Sequence, residues 1–272
     1  MKVAFLSSVE VGYNTLHNLL DKGFRFDCLL SLHQSKEEVT SGWMNFQELA
    51  NEFQIPHKAI RNINSEGTRK TLSSLDLDLL IVCGWQRLLK PETLAIPRYG
   101  CVGFHASFLP DYRGRAPVNW AIIEDARKTG VSCFYLDPEP DSGDLLAQVS
   151  FPIDYEDTVA TIYEKVSEGC SEILEELLPK FESGPVAGKP NPARNSKIYP
   201  GRKPEDGEIY LKWKTKQIYN MVRAVTRPYP GAYLRVEGKS LRIWSCREGK
   251  VDGALQYPCA NGWISFLEYE WE

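Results

Sequence analysis

CVGFHASFLPDYRGRAPVNWAI, residues 101–122, runs from an apolar stretch into a histidine, then a Leu-Pro, an Arg-Gly-Arg and a proline-led amphipathic segment. CVGFH has the near-continuous apolar character of a strand covered on both faces. APVNWAIIED has helical spacing with proline in its first turn. A strand that reaches a helix through such a turn is a unit of an α/β fold, and His105 stands where the strand ends. Ligands of open parallel sheets bind beyond the carboxyl ends of strands, so chemistry is to be expected beside this histidine. Two positions before it lies Gly103, with no polar side chain to assist.

The pattern extends in both directions. KVAFLSS, FDCLLSL, DLLIVCGW and GVSCFYLD read as buried strands, and the segment holding Leu16, Leu19 and Leu20, NFQELANEFQI and EGTRKTLSSL read as helices. A longer helix is predicted from about Thr158 to Phe181, closing on Gly184. Residues 183–207 then hold five prolines and four glycines, the composition of an irregular crossing. Beyond it KQIYNMVRAVT predicts a short helix, AYLRVEGKSLRIWSCR a hairpin, and GWISFLEYEWE one strand or two. The expected architecture is a Rossmann-like open parallel α/β sheet flanked by helices over 1–182, a linker at 183–207 and a small, mostly β domain at 208–272.

Composition narrows the function. A chain of 272 residues with 43% hydrophobic content can bury a core without staples. Its seven cysteines form an odd set without a C-x-x-C pair, as in a reducing cytoplasm, and no metal is expected. The N-terminus fits a first strand rather than a signal peptide, and no apolar run is long enough for a membrane helix. A net charge of −4 argues against nucleic acid as the main partner.

Three strand ends are chemically loaded: CGWQRLL, FHASFLP and DPEPDSGD. HASFLPDYRGRAPVNWAI, GVSCFYLDPEPDSGDLLAQ and YNMVRAVTRPYPGAYLRVEGKSLRIWSCR, in this order, resemble the folate-dependent formyltransferases over nearly the whole chain. RGRAPVNW and the Val-Arg-Ala-Val-Thr…Pro-Gly-Ala segment are most similar to the enzymes that formylate nucleotide-linked amino sugars. The resemblance implies transfer of a formyl group from N10-formyltetrahydrofolate to a primary amine. Attack of the amine develops a negative oxygen and an acidic nitrogen, so an oxyanion donor and a proton acceptor are both required.

By resemblance His105 and Asp141 are the catalytic pair, with the remover of the amine proton left open between them. The folate slot would have Arg87, Leu88 and Leu89 on one wall and Asp137, Pro138, Glu139, Pro140 and Asp141 on the other, read through main-chain groups. Arg115 matches a cofactor contact. Pro110 and Gly114 are expected to shape the turn, and Trp120, spaced with Ile123, to be core.

The family carries an asparagine where this sequence has Gly103. Loss of one oxyanion donor typically costs about 100- to 1000-fold in rate. Asn119, the Gly103 backbone N–H or an ordered water are candidates to compensate. The expected acceptor is a nucleotide amino sugar, for which Arg202 or Lys203 are candidate cations. The alternatives are a methionyl-tRNA formyltransferase, a formyltetrahydrofolate-binding protein with weak turnover, and a formate-releasing hydrolase. Trp263, Phe266 and Trp271 suggest a face for a homodimer.

Overall fold

The computed structural model describes residues 1–33, 41–192 and 196–272. Residues 193–195 of the expected linker lie outside that description. The chain order is β1 (Val3–Ser7), α1 (Glu10–Asp21), β2 (Cys28–Leu32), α2 (Gln47–Glu52), β3 (His57–Ile60), α3 (Glu66–Ser74), β4 (Leu79–Val82), α4 (Pro91–Leu94) and β5 (Cys101–His105). Then follow α5 (Pro117–Ile123), β6 (Lys128–Tyr135), β7 (Leu145–Pro152), α6 (Val159–Phe181), α7 (Thr215–Val225), β8 (Ala232–Val236), β9 (Lys239–Glu248), β10 (Leu255–Cys259) and β11 (Gly262–Trp271).

The larger sheet has the order β3-β2-β1-β4-β5-β6-β7. Its first five strands pair in parallel, whereas β6 runs antiparallel to β5, with Gly103 opposite Phe134 and His105 opposite Ser132. The sheet is therefore mixed, because β6 returns beside β5 without the crossover that a parallel neighbour needs. Order reverses between β1 and β4, the usual place for a ligand crevice. Every residue of β1, β2 and β4 is buried, which explains their nearly continuous apolar sequences, broken only by the buried Ser7 and Ser31. Ala4, Leu6, Leu30, Leu80 and Cys101 join one core cluster with Ile63 and Leu72.

Chain contacts divide the molecule into two compact units that are not linear in sequence. The first comprises Met1–Arg113, Gly130–Ser150 and Glu164–Ser196, and the second Gly114–Thr129, Phe151–Tyr163 and Lys197–Glu272. The first unit carries most of the large sheet. In the second, β10-β11-β9-β8 form an antiparallel sheet against which α7 packs. Most of α7 is buried, and Arg223 within it donates to Asn220 Oδ1 and to the carbonyls of Asp154 and Asp157. GWISFLEYEWE is one strand broken by register shifts around Glu268. Phe266 is fully buried while Trp263 and Trp271 are exposed, so the three residues do not share one outward face.

All seven cysteines are free thiols. Burial pushes Cys101 up to about 12 and raises Cys133, Cys170 and Cys246 as well, which makes them inert packing groups rather than nucleophiles. Among the described residues no helix is long and apolar enough to cross a membrane, and no three His, Cys, Asp or Glu side chains are placed to hold a metal ion.

Candidate active site

His105 closes β5 and is only 7% exposed. Its Nε2 lies 2.9 Å from the Tyr112 carbonyl oxygen. A carbonyl only accepts, so Nε2 carries a proton and, in the neutral ring, Nδ1 is left as the acceptor. Nδ1 faces Asp141 Oδ1 at 3.5 Å. A proton arriving at Nδ1 would therefore be held beside a carboxylate. The turn behind the histidine is pinned by hydrogen bonds: Ser132 Oγ donates to Ser107 O, Leu109 N–H to Ser132 Oγ, and Gln148 Nε2 to Leu109 O. Pro110 follows a cis peptide within that turn.

Asp141 sits on the DPEPD loop with φ +55°, a left-handed conformation in which Asn and Asp are the best tolerated non-glycine residues. The loop is cross-braced. Asp137 Oδ1 accepts from Glu139 N–H (3.0 Å) and Ser142 Oγ (2.7 Å). Asn191 Nδ2 donates to the carbonyls of Asp141 (3.1 Å) and Gly143 (2.9 Å). Arg113, 2% exposed, donates from Nη2 to Glu139 Oε1 at 2.7 Å and to Pro140 O at 2.8 Å. Neither Arg113 nor Asn191 was legible as a site residue. Their partners lie far away in sequence, and nothing local marks the pairing.

The position over Gly103 is filled. A Cβ added there would sit 2.9 Å from Leu136 Cγ and 3.4 Å from Cδ1, with Cδ2 nearer still. Leu136 follows β6, donates its N–H to Cys101 O and leans across β5 to pack on Leu109 and Phe134. Gly103 and His105 share one face of the strand by alternation. An apolar side chain thus stands where the first carbon of an asparagine side chain would be. Asn119 lies in the second unit, where its buried Nδ2 donates to Ala224 O of α7 at 2.6 Å.

The other expected wall has a mixed character. Leu89 is a member of the core cluster, whereas Leu88 is 64% exposed and its carbonyl accepts from Asn64 Nδ2 at 2.9 Å. Arg87 Nη1 donates to Arg61 O, and Arg87 lines a small pocket with Ser8, Leu32, Trp85 and Gln86. Trp85 Nε1 is buried and has no hydrogen-bond partner. Arg115 belongs to the second unit and is exposed.

Comparison with known proteins decides the family. The profile described as "Formyl transferase" matches residues 34–178, and that described as "Formyl transferase, C-terminal domain" matches residues 202–269. This chain belongs to the formyl transferase family. The formyltransferase is 30% identical over 287 aligned residues to the methionyl-tRNA formyltransferase of Geotalea uraniireducens, an alignment covering 100% of this chain and 91% of the relative. In fold it is similar to HypX from Aquifex aeolicus, solved with tetrahydrofolic acid, at a TM-score of 0.70 and 22% identity. That match covers 99% of the enzyme but only 44% of HypX. The N-formyltransferase from Helicobacter canadensis, solved with folinic acid and dTDP-3-aminofucose, superposes at a TM-score of 0.69 and 16% identity, covering 98% of both chains.

Because Arg113 ties the loop of Asp141 through charge-assisted bonds, Arg113→Met is expected to destabilise the enzyme by about 1.5–3 kcal/mol. Turnover should fall with it. Arg113→Lys, which lacks the planar fork, should recover only part of both losses. Thermal unfolding alongside steady-state kinetics checks this, and full activity in Arg113→Met would remove the arginine from the site.

Proposed function

We propose that the enzyme transfers the formyl group of N10-formyltetrahydrofolate to the primary amine of a nucleotide-linked amino sugar, with His105 and Asp141 as the proton-handling pair. The observation that carries this reading is the buried imidazole whose Nδ1 faces a carboxylate on a braced strand-end loop. The donor supplies an electrophilic formyl carbon. His105 receives the proton of the attacking amine at Nδ1, Asp141 stabilises the resulting imidazolium, and the Tyr112 carbonyl keeps the ring oriented. The same proton goes to the folate N10 as its bond to the formyl carbon breaks, releasing tetrahydrofolate. Leu136 excludes water beside the reacting centre, which disfavours hydrolysis of the donor.

The residues fit a bound folate. Trp85 Nε1 is an unmet buried donor, and Leu88 is an uncovered apolar side chain on the same loop. An aromatic heterocycle would meet both. We place the donor between this loop and Asp137–Asp141, in a catalytic region spanning 1–182, with 208–272 as the smaller domain. The seven unpaired thiols are compatible with a cytoplasmic enzyme.

The acceptor class is supported by the net charge of −4, unsuited to gripping a polyanion, and by the amino-sugar ligand of the Helicobacter canadensis protein. A second reading has its own support: the methionyl-tRNA formyltransferase match that spans the whole chain. Incubation with N10-formyltetrahydrofolate and, in parallel, nucleotide amino sugars and charged initiator tRNA separates them. A formyl-sized mass gain on a sugar is expected; formylation of the tRNA alone would overturn the sugar assignment.

A further inference from the structure

The C-terminal part of the proline-rich stretch, where Arg202 and Lys203 are the candidate cations, presents a group of cations on a hydrogen-bonded frame. Within the second unit, the segment from Lys197 to Lys203 is fastened to the residues that precede and form α5. Arg115 N–H donates to Tyr199 O at 3.0 Å, and Trp120 Nε1 donates to Pro200 O at 2.9 Å. Gly114, at φ +110°, lets the two backbones meet, since a Cβ there would lie 2.5 Å from Tyr199 O. Trp120 is consequently not a core residue. Its ring packs 5.6 Å from that of Tyr199, whose hydroxyl donates to Glu124 Oε2.

Three cations decorate this frame. The Arg202 guanidinium lies 4.8 Å over Trp120, and Lys197 Nζ lies 4.1 Å over Tyr199. The Arg115 guanidinium carbon lies 3.1 Å from where a Cβ on Gly201 would stand. No carboxylate pairs with any of the three among the described residues. Four other arginines of the unit are paired with acids: Arg227 with Glu268, Arg235 with Glu208, Arg242 with Glu272 and Arg247 with Glu156. Arg202 is the most telling. It is part-buried, its Nη2 reaches only the Asp206 carbonyl and Met221 Sδ, and its Nε is buried with no partner. Burial lowers its pKa and the Asp206 carboxylate opposes that shift without cancelling it, the sign of a cation that has shed more water than it has gained in counter-charge.

We propose that Arg202 and Lys197, with Arg115 adjoining, form the subsite for the diphosphate of the acceptor, a nucleoside diphosphate sugar. This assignment rests on the acceptor class proposed above. A guanidinium fork and a nearby ammonium match adjacent phosphate oxygens, and the cation–aromatic contacts hold both groups in place before the ligand arrives. Glu124 and Asp206 are the acids of the neighbourhood. Each already accepts a hydrogen bond, from the Tyr199 hydroxyl and the Lys203 N–H respectively, so their carboxylates are committed to the frame. Three cations on one small frame suit a single diphosphate, whereas tRNA draws its affinity from many phosphate contacts. The glutamate tail of folate is the other anion such a cluster could hold.

Calorimetric titration of the full chain with UDP, dTDP, inorganic pyrophosphate and 5-formyltetrahydrofolate tests the assignment. Binding of a nucleoside diphosphate and of pyrophosphate is expected. Arg202→Met should weaken both by roughly 10- to 100-fold, with 5-formyltetrahydrofolate affinity within about twofold of the unsubstituted enzyme. Arg202→Lys should fall between, and Lys197→Met, an exposed position, provides a second test should Arg202→Met fail to fold. Equal nucleotide affinity in folded Arg202→Met, or no binding of nucleotide or pyrophosphate at all, would overturn the subsite. Selective loss of folate affinity would overturn it too, giving the cations to the donor tail. Charge-dependent nucleotide binding without formylation of any amino sugar would leave the subsite standing and remove the proposed acceptor reaction.

Discussion

Replacing Gly103 by asparagine is expected to slow the formyltransferase and to destabilise it, although asparagine is the residue that the family resemblance places there. The new Cβ would sit 2.9 Å from Leu136 Cγ, so the added amide can enter only by displacing Leu136. Overpacking of this kind costs typically about 1–3 kcal/mol. Leu136 also bridges two core clusters, and its displacement would disturb the strand that leads into the Asp141 loop. The paired change Gly103→Asn with Leu136→Ala relieves the overlap and gives the amide its volume. An added oxyanion donor is worth on the order of 100-fold in favourable cases. The double variant should therefore turn over faster than either single variant, a non-additive outcome that a double-mutant cycle reads directly. Unfolding midpoints and kcat for the four proteins check the expectation. A stable and faster Gly103→Asn single variant would show that Leu136 does not occupy the space in solution.

The largest loss is expected from the pair itself. His105→Gln should reduce kcat by about 100- to 10,000-fold, the usual contribution of a positioned general acid–base group. Affinity for 5-formyltetrahydrofolate should remain within about twofold, because the proposed folate contacts are main-chain groups of neighbouring loops. Asp141→Asn is a cleaner probe of charge than Asp141→Ala. Position 141 has φ +55°, which asparagine adopts readily and alanine does not. Asp141→Ala should accordingly lose about 1 kcal/mol or more of stability beyond Asp141→Asn, while both lose turnover. Stopped-flow or discontinuous assays together with binding of the stable folate analogue distinguish these effects. Retained turnover in His105→Gln or Asp141→Asn would remove that residue from the chemical step.

Much of the large sheet could be read from sequence because β1, β2 and β4 are buried along their whole length and their apolar runs are nearly continuous. β3, β7 and β10 escaped notice. His57–Ile60 has one buried residue of four, and Leu145–Pro152 and Leu255–Cys259 have none, so neither alternation nor an apolar run marks them. His105 and Asp141 were visible as motif residues at predicted strand ends, and the structure brings them to 3.5 Å. Arg113 stood inside a motif but without a role, since an arginine in a turn carries no local sign of the acid or carbonyl it will meet. Asn191 lies in a stretch whose composition reports only that helix and strand are disfavoured, and Arg202, a candidate cation by residue type alone, lies in the same stretch. What that stretch binds depends on which backbone lies beside it.

The sequence by itself determined the α/β class, the family's order of motifs, the placing of His105 and Asp141 at strand ends, and the absence of an asparagine at position 103. These follow from local periodicity and from residue types at set spacings. Only the tertiary structure decided what replaces that asparagine. Leu136 reaches Gly103 because β6 runs antiparallel to β5 and sets Phe134 opposite Gly103, a register that no local pattern encodes. The same holds for the braces on the Asp141 loop and for the cations around Trp120. Each is a contact between residues distant in the chain, set by strand pairing and backbone approach rather than by the residues alone.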